Sequence, residues 1–242
     1  MAQTTINIYG EEFENPLHKK VLLFSGGLDS WVAMRLWKPD ILVYCAINHR
    51  YQSIELASIK QQILPCPLII DKRLSLQSDE RRDAIIPLRN LYLVMIASRY
   101  GDRIGMGVLH GEINGDKSHR FRQISSRLLS HCYDKSYWST GRSIKIEYPI
   151  CRWTKAELIR QYIRRGFSVK ELLLTRSCYS TNKLPCGICS NCIKRFVALS
   201  LNHLSENYEK DPFSSPLLLE FKKRWNTFDS RRKIELRKVF KL

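Results

Sequence analysis

A short apolar run that ends in a glycine pair limits the folds open to this chain. Val21–Phe24 is apolar and is followed at once by Ser25–Ser30, which reads Ser-Gly-Gly-Leu-Asp-Ser. This pattern predicts a buried strand that ends in a tight turn. Apolar residues in Asp29–Trp37 then recur at helical spacing, and Pro39 ends the predicted helix. A strand, a turn and a helix in this order begin an α/β unit.

Predicted strands continue to alternate with predicted helices along the chain. The further strands are Ile41–Ile47, Pro67–Ile70, Arg103–Leu109 and Ile144–Ile150. The further helices are Ile54–Ile63, Leu88–Tyr100, residues 118–130 and residues 154–165, the last opened by a capping-box pattern of Thr154 and Glu157. This order predicts an α/β fold with a doubly wound, mostly parallel sheet.

The loops that follow the strands are where such a sheet binds ligands, near the point where the strand order reverses. The candidate loops are Ser25–Ser30, Asn48–Gln52 and His110–Ser118. Lys72–Arg82 is strongly charged and lacks periodicity, so we expect it to be a loop as well.

Composition indicates a globular domain with a basic surface. Hydrophobic residues make up 44% of the 242 residues, and no apolar run approaches the ~20 residues of a membrane helix. The first 14 residues carry acidic side chains and no signal-peptide pattern, so we expect a cytoplasmic protein. The net charge of +17 suggests a nucleic-acid partner, an acidic protein partner or a phosphate-bearing substrate. A basic surface without a specific partner is the alternative.

The segment Ser25–Ser30 has the chemistry of a phosphate-binding loop. Gly26 and Gly27 let the backbone approach an anion, and the start of the next helix offers unpaired N–H groups. Ser25 and Ser30 add hydroxyl donors. Asp29 suits this place only if it caps the helix or reaches a Mg²⁺ ion on the phosphates. The alternative is an ordinary strand-to-helix turn.

Four of the eight cysteines are crowded into fifteen positions, and their spacing indicates a metal site. They are Cys178, Cys186, Cys189 and Cys192. Four thiolates favour a closed, structural Zn²⁺ site, and Gly187 permits the tight turn that it needs. An iron–sulfur cluster is the rival, although the distant fourth cysteine and the missing Cys-Pro ending weaken it. Four unligated thiols are the third possibility.

The Ser-Gly-Gly-Leu-Asp-Ser segment resembles the signature of the PP-loop ATP pyrophosphatases, which have a HUP-like α/β fold. The resemblance implies that Phe24–Ser30 binds ATP and Mg²⁺. In that superfamily the loop holds the β,γ-pyrophosphate while a substrate oxygen attacks the α-phosphate. The products are an adenylated substrate and pyrophosphate.

A second resemblance rests on the order of several motifs between Val21 and Leu199. Together with the phosphate loop and the cysteine spacing, this order resembles the 7-cyano-7-deazaguanine synthase family. The matching segments are Tyr51-Gln52 with Glu55, Pro87-Leu-Arg89-Asn90, Gly107-Val108, Ser177-Cys178-Tyr179, and Pro185–Cys192 with Arg195.

This resemblance implies an ATP-dependent ligase that turns 7-carboxy-7-deazaguanine and ammonia into 7-cyano-7-deazaguanine (preQ0), through an adenylated acid and an adenylated amide. It also implies a homodimer. The implied catalytic residues are Ser25, Asp29, Ser30 and Arg89. The implied substrate-binding residues are Gln52, Arg89, Asn90, Glu112 and Asp116. For Arg89 the alternative is an exposed helix start, and for Gln52 and Glu55 it is a solvated helix face.

The sequence departs from the family pattern at two places. Leu88 stands where the family usually has glycine before Arg-Asn. The family's Tyr-Pro-Asp-Cys-Arg run is replaced within Gly111–Arg120, where Asp116 can stand in for its aspartate and Ser118 replaces its arginine. Either the substrate contacts are rearranged or the substrate has changed.

We expect two regions, an ATP-pyrophosphatase domain over residues 1–175 and a zinc-binding segment with a basic helical C-terminus over residues 176–242. Leu217–Leu242 reads as one or two amphipathic helices or as a solvated tail. Three alternative functions stay open. They are an antiphage-operon enzyme that joins a deazaguanine acid to a protein amine, a PP-loop tRNA-modifying enzyme, and a non-enzymatic zinc-bearing nucleic-acid binder.

Overall fold

The computed structural model describes residues 5–6 and 17–241, which form one parallel sheet with helices on both faces. In chain order the strands are β1 (Thr5–Ile6), β2 (Lys20–Leu23), β3 (Ile41–Cys45), β4 (Leu68–Asp71), β5 (Arg103–Gly105) and β6 (Lys145–Glu147). Their order in the sheet is β1-β4-β3-β2-β5-β6, and every neighbouring pair is parallel. The predicted α/β class and parallel sheet are confirmed. Strand β1 was not predicted, because two residues show no periodicity.

Nine α-helices lie in the described part of the chain. They are α1 (Leu28–Trp37), α2 (Gln52–Lys60), α3 (Arg89–Ala97), α4 (His119–Cys132), α5 (Lys155–Arg164), α6 (Val169–Leu173), α7 (Ser190–Ser200), α8 (Leu217–Lys223) and α9 (Ser230–Phe240). Short 3-10 turns lie at Gln77–Asp79, Gly115–Lys117, Pro212–Ser214 and Trp225–Thr227. The helix α5 begins with the predicted capping box of Thr154 and Glu157. Among the described helices, none has the length and apolar character that crossing a membrane requires.

The sheet separates two hydrophobic cores because successive strand residues point to opposite faces. Leu22 and Leu42 pack with α1 and α5, whereas Val21 and Val43 pack with α3 and α4. All four side chains are fully buried. Each contributes about 1.5–3 kcal/mol relative to an exposed side chain, so these alternating positions hold helices against both faces of the sheet.

Strand β5 is shorter than the sequence predicts. We expected a strand through Leu109, but the strand ends at Gly105 and the chain leaves the sheet. Met106 still donates its N–H to the carbonyl of Glu147, and Val108 bonds back to Met106. The apolar run continues past the strand because the loop itself is buried, as shown by Met106, Val108 and Leu109. Periodicity alone does not distinguish a buried loop from a buried strand.

The strand order reverses between β2 and β5. From β2 the chain builds β3 and β4 on one side, and it later adds β5 and β6 on the other side. The loop after β2 is Phe24–Gly27, and the segment after β5 begins at Met106. A ligand site is therefore expected where these two loops meet.

The C-terminal part packs on the same body. Helix α7 contributes Ala198 and Leu199 to the core beneath α5, and a further cluster joins α7 to α8 and α9 through Ile193, Phe221 and Leu236. The expectation of one or two amphipathic helices after residue 216 is confirmed, because α8 and α9 each bury one side against α7.

Candidate active site and metal centre

The loop after β2 has a backbone shape that only glycine allows. Gly26 has a φ of +70°, and a Cβ placed there would lie 2.6 Å from Cγ1 of Ile59. The carbonyl of Gly26 accepts a hydrogen bond of 2.7 Å from Nε2 of Gln62. No side chain caps the first turn of α1, which follows Gly27. Its first N–H groups are therefore available to an anion.

The polar side chains of this loop are held in place by local bonds and by α5. Ser30 Oγ donates to the carbonyl of Gly27 at 3.0 Å and lies 3.3 Å from Ser25 Oγ. Both carboxylate oxygens of Asp29 lie 2.6 Å from Nζ of Lys155. Asp29 thus pairs with a lysine and does not cap the helix. The ion pair offsets the negative charge that would otherwise oppose phosphate binding.

A cleft of about 460 Å³ opens beside this loop, at the point where the strand order reverses. Its size lies in the range of small-molecule sites. It brings together seven of the residues that the sequence nominated, namely Phe24, Ser25, Asp29, Ser30, Arg89, Asn90 and Glu112. Gly27 and Leu28 border an adjoining pocket of about 120 Å³ at the start of α1. Gly26 lines neither space, and it lies on the side of the loop that faces Ile59.

Arg89 and Asn90 form the first turn of α3 and face the cleft from the opposite side. Arg89 is exposed, whereas Asn90 is buried and donates to the carbonyl of Asp116 at 3.5 Å. Leu88, which precedes them, has a φ of +58°. This left-handed conformation explains why glycine suits that position better.

Glu112 lies where the cleft meets a smaller chamber of about 60 Å³ beneath α9. Burial raises the pKa of Glu112, but the charges of Lys117 and two further lysines outweigh it and leave the pKa lowered. The Lys117 ammonium lies 3.6 Å from its carboxylate. Glu112 is therefore a carboxylate at neutral pH.

Two nominated substrate residues do not line the cleft. Gln52 accepts the N–H of Asn48 at 2.7 Å, so it braces the loop between β3 and α2. Asp116 is exposed on the 3-10 turn Gly115–Lys117 and points only its carbonyl at Asn90. Their roles in substrate binding stay predictions.

Two other cleft residues belong to the family-matching segments but were not assigned a role in the site. Glu55 accepts from Tyr44 Oη at 2.9 Å and lies 3.2 Å from His49 Nε2. Tyr179, from the cysteine segment, also lines the cleft. Lys155, which lines the adjoining pocket, could have been identified from the sequence, because a lysine in the first turn of a helix is unfavourable unless it has a partner. The others needed tertiary proximity.

The four clustered cysteines converge on one point. Their Sγ atoms all lie within 4.8 Å of one another, with Cys186 and Cys192 at 3.9 Å. Zinc–sulfur bonds of ~2.3 Å in a tetrahedron separate sulfurs by about 3.8 Å, so the donor set can hold a metal ion such as zinc. Gly187 has a φ of +81°, and a Cβ there would lie 1.9 Å from the Lys210 carbonyl. The predicted tight turn is confirmed.

Hydrogen bonds around the sulfur of Cys178 favour its thiolate form. The N–H groups of Ser180 and Cys186 each lie 3.3 Å from Cys178 Sγ. Hydrogen bonds from the thiols of Cys189 and Cys192, together with these N–H groups, hold the pKa of Cys178 well below its usual range. A thiolate is the form that binds a metal.

Comparison with known proteins agrees with this geometry. The family model described as "Queuosine biosynthesis protein QueC" matches residues 41–203, more than half of the chain. The chain is similar to 7-cyano-7-deazaguanine synthase of Methanococcus aeolicus, with 21% identity over 73% of this chain and 92% of that protein. It is also similar to the enzyme of the same name from Rhodopirellula baltica, with 24% identity over 85% of this chain and 97% of that protein. The chain therefore belongs to the QueC family.

Proposed function

We propose that this chain is an ATP-dependent ligase that converts 7-carboxy-7-deazaguanine and ammonia to 7-cyano-7-deazaguanine. One observation carries the proposal. The phosphate loop opens onto the same cleft as Arg89 and Asn90 of α3 and Tyr179 of the cysteine segment. A nucleotide and a flat heterocyclic acid can thus lie side by side in it. The similar proteins from Methanococcus aeolicus and Rhodopirellula baltica, both named 7-cyano-7-deazaguanine synthase, support the same activity.

The chain's own residues divide the work. The N–H groups at the start of α1, with Ser25 and Ser30, bind the β- and γ-phosphates. Asp29 and Glu55 are the carboxylates that would hold Mg²⁺, which neutralises phosphate charge when bound. Arg89, being exposed and always charged, can hold phosphate or the substrate carboxylate as a two-pronged donor.

The chemistry follows from two activations in one site. A substrate carboxylate oxygen attacks the α-phosphorus of ATP, and pyrophosphate leaves with the electron pair of the broken bond. Ammonia then displaces AMP and loses a proton, which yields the amide. A second ATP activates the amide oxygen, and loss of AMP with the remaining protons leaves the nitrile. Each activation places negative charge on the leaving pyrophosphate, where the loop donors lie.

Four further assignments accompany this proposal. Zinc is the metal of the cysteine cluster, where a closed set of four thiolates serves structure and not catalysis. Residues 1–175 hold the ATP-pyrophosphatase domain, and residues 176–242 hold the zinc segment and the basic helical C-terminus. The enzyme works in the cytoplasm. It functions as a homodimer.

Mass spectrometry of the products tests the proposal. Purified protein is incubated with 7-carboxy-7-deazaguanine, Mg-ATP and ammonium, with an Arg89→Ala variant run beside it. We expect the nitrile, AMP and pyrophosphate from the natural sequence and a large loss with the variant. Absence of both amide and nitrile, in a protein that keeps its metal and its fold, would overturn the proposal.

A second acceptor is favoured by a specific observation. Nine lysines and arginines lie within residues 217–241, beyond the matched residues 41–203. This basic region suits an acidic macromolecule. An amine of a protein would then attack the acyl carbon of the adenylated acid and displace AMP, or the enzyme would act on a tRNA. This function would be selected if the protein released AMP without forming amide or nitrile, and if a modified partner appeared once such a macromolecule was added.

A further inference from the structure

Three cationic side chains border the pocket of about 120 Å³ at the start of α1. They are Lys155, Arg176 and Lys194. Two of them are already engaged. Lys155 holds both carboxylate oxygens of Asp29 at 2.6 Å, and Arg176 donates to carbonyl oxygens of the cysteine segment, such as that of Ser180 at 2.6 Å. Within residues 17–241, Lys194 makes no hydrogen bond and no ion pair, so it alone of the three is free to bind an incoming anion.

The acidic residue that shares a chamber with Lys194 is already paired with another lysine. Glu112 lies in the neighbouring chamber with Lys194, yet its carboxylate is paired with Lys117 at 3.6 Å. No carboxylate oxygen of the described residues comes within 4 Å of the Lys194 ammonium. The charges of Glu112 and Asp29 still act on Lys194 from farther away. A half-buried ammonium without a hydrogen-bonded partner is nevertheless costly, and an anionic ligand removes that cost.

The cysteine cluster fixes the position of Lys194. Helix α7 begins beside Cys189, whose Sγ accepts the N–H of Cys192. Lys194 follows Cys192 by two residues on the same helix. The next residue, Arg195, is 1% exposed and anchors the helix through Glu206 and Thr175, each at 2.8 Å. The metal ligands and this anchor therefore set where the Lys194 stem points.

We propose that Lys194 binds the pyrophosphate group of ATP and of the product, and that the four-cysteine centre positions it. This inference rests on the proposed function only in requiring that ATP lies at the phosphate loop. When the bond between the α-phosphorus and the bridging oxygen breaks, the electron pair goes to pyrophosphate. The Lys194 ammonium donates a hydrogen bond to that group and keeps its proton. The four-cysteine centre thereby acts on nucleotide binding through the position of Lys194.

Titration calorimetry with magnesium pyrophosphate tests the inference without the deazaguanine substrate. The proteins are the natural sequence, Lys194→Met, Lys194→Arg and the matched control Lys183→Met. Lys183 is an exposed lysine of the same segment whose side chain makes no contact with the pocket. Metal content and melting temperature are measured for each protein, so that loss of the metal is not mistaken for loss of the cation.

We expect Lys194→Met to weaken pyrophosphate binding at least about tenfold, the scale of one charge-assisted hydrogen bond, with metal content unchanged. Lys194→Arg should stay within about threefold of the natural sequence, and Lys183→Met should match it. Equal binding by the natural sequence and Lys194→Met would overturn the inference. So would an absence of pyrophosphate binding in the natural sequence. Failure to form the nitrile while Lys194→Met still loses affinity would reject the proposed reaction and keep the inference.

Discussion

The phenol rings of Tyr51 and Tyr179 stack face to face, with centroids 3.9 Å apart and planes inclined by 7°. Tyr51 precedes α2, and Tyr179 directly follows Cys178 of the cysteine cluster. The stack joins the cysteine segment to the rim of the cleft, and such a ring pair contributes about 0.5–1.5 kcal/mol beyond its buried area. Loss of the metal should therefore disturb the positions of these two tyrosines at the cleft.

We expect Cys186→Ser to lower the bound metal to well below one ion per chain and to reduce the melting temperature by roughly 5 °C or more. The binding free energy of a structural metal is part of the folding free energy, so its loss weakens the whole segment. Elemental analysis and thermal unfolding provide the measurements. The control is Cys132→Ser, an exposed cysteine outside the cluster. Full metal content in Cys186→Ser would contradict the assigned ligand set.

Asp29 should be required for ATP turnover. Asp29→Asn removes the charge that holds Lys155 at 2.6 Å and that would hold Mg²⁺. We expect pyrophosphate release to fall about 100-fold or more, while the free energy of unfolding changes by about 1 kcal/mol, since the pair is partly exposed. A coupled pyrophosphate assay gives the rate, with the exposed Asp134→Asn as control. A variant that keeps its full rate would remove Asp29 from the phosphate site.

Leu88→Gly should stabilise the protein by about 0.5–1 kcal/mol. Leu88 has a φ of +58° and its side chain is 61% exposed, so glycine relieves strain and little packing is lost. Urea unfolding measures the difference. Leu219→Gly serves as the opposite case, because Leu219 is 66% exposed but lies within the right-handed helix α8. It should cost about 1 kcal/mol. Destabilisation by Leu88→Gly would contradict the strained conformation.

Asp71 should make the stability of the protein depend on pH at its acid end. Burial raises the pKa of Asp71, but hydrogen bonds from Arg73 and from Tyr100 at 2.7 Å outweigh it and leave the pKa lowered. Because the folded pKa lies below the unfolded value of about 3.9, the stabilisation is complete well above that value. It is lost as the pH falls through the folded pKa.

The test compares Asp71→Asn with the natural sequence at pH 7 and at pH 3.5. We expect a loss of about 3 kcal/mol in unfolding free energy at pH 7, since the variant leaves Arg73 without its buried partner. The loss should be smaller at pH 3.5, because Asp71 takes up a proton there in the unfolded state, whose pKa is about 3.9. Asp79→Asn, an exposed aspartate on the neighbouring loop, should show no such dependence. An equal loss at both pH values would contradict the lowered pKa.

The sequence was informative wherever a short local pattern specifies one structure. Gly26 and Gly187 could be assigned to tight turns from their neighbours in the sequence. Gly26 lies between a predicted strand and a predicted helix, and Gly187 lies between two closely spaced cysteines. The four cysteines could be grouped because a metal site brings ligands of fixed spacing together. The parallel sheet could be predicted because strand patterns alternate with helix patterns. The prediction for β5 was too long, because Met106 and Val108 are apolar and buried but lie in a loop.

By itself, the sequence determined the α/β class, the glycine turn after β2 and the cysteine cluster, because each depends on residues close in the chain, and the family, because its motifs follow one another in a fixed order. Only the tertiary structure decided which polar groups share the cleft. It pairs Asp29 with Lys155, 126 positions away, and turns Gln52 away from the cleft to bond Asn48. It also places Lys194 beside the phosphate loop. Such pairings depend on how the helices pack on the sheet. The periodicity of a segment carries no information about which distant residues it will contact.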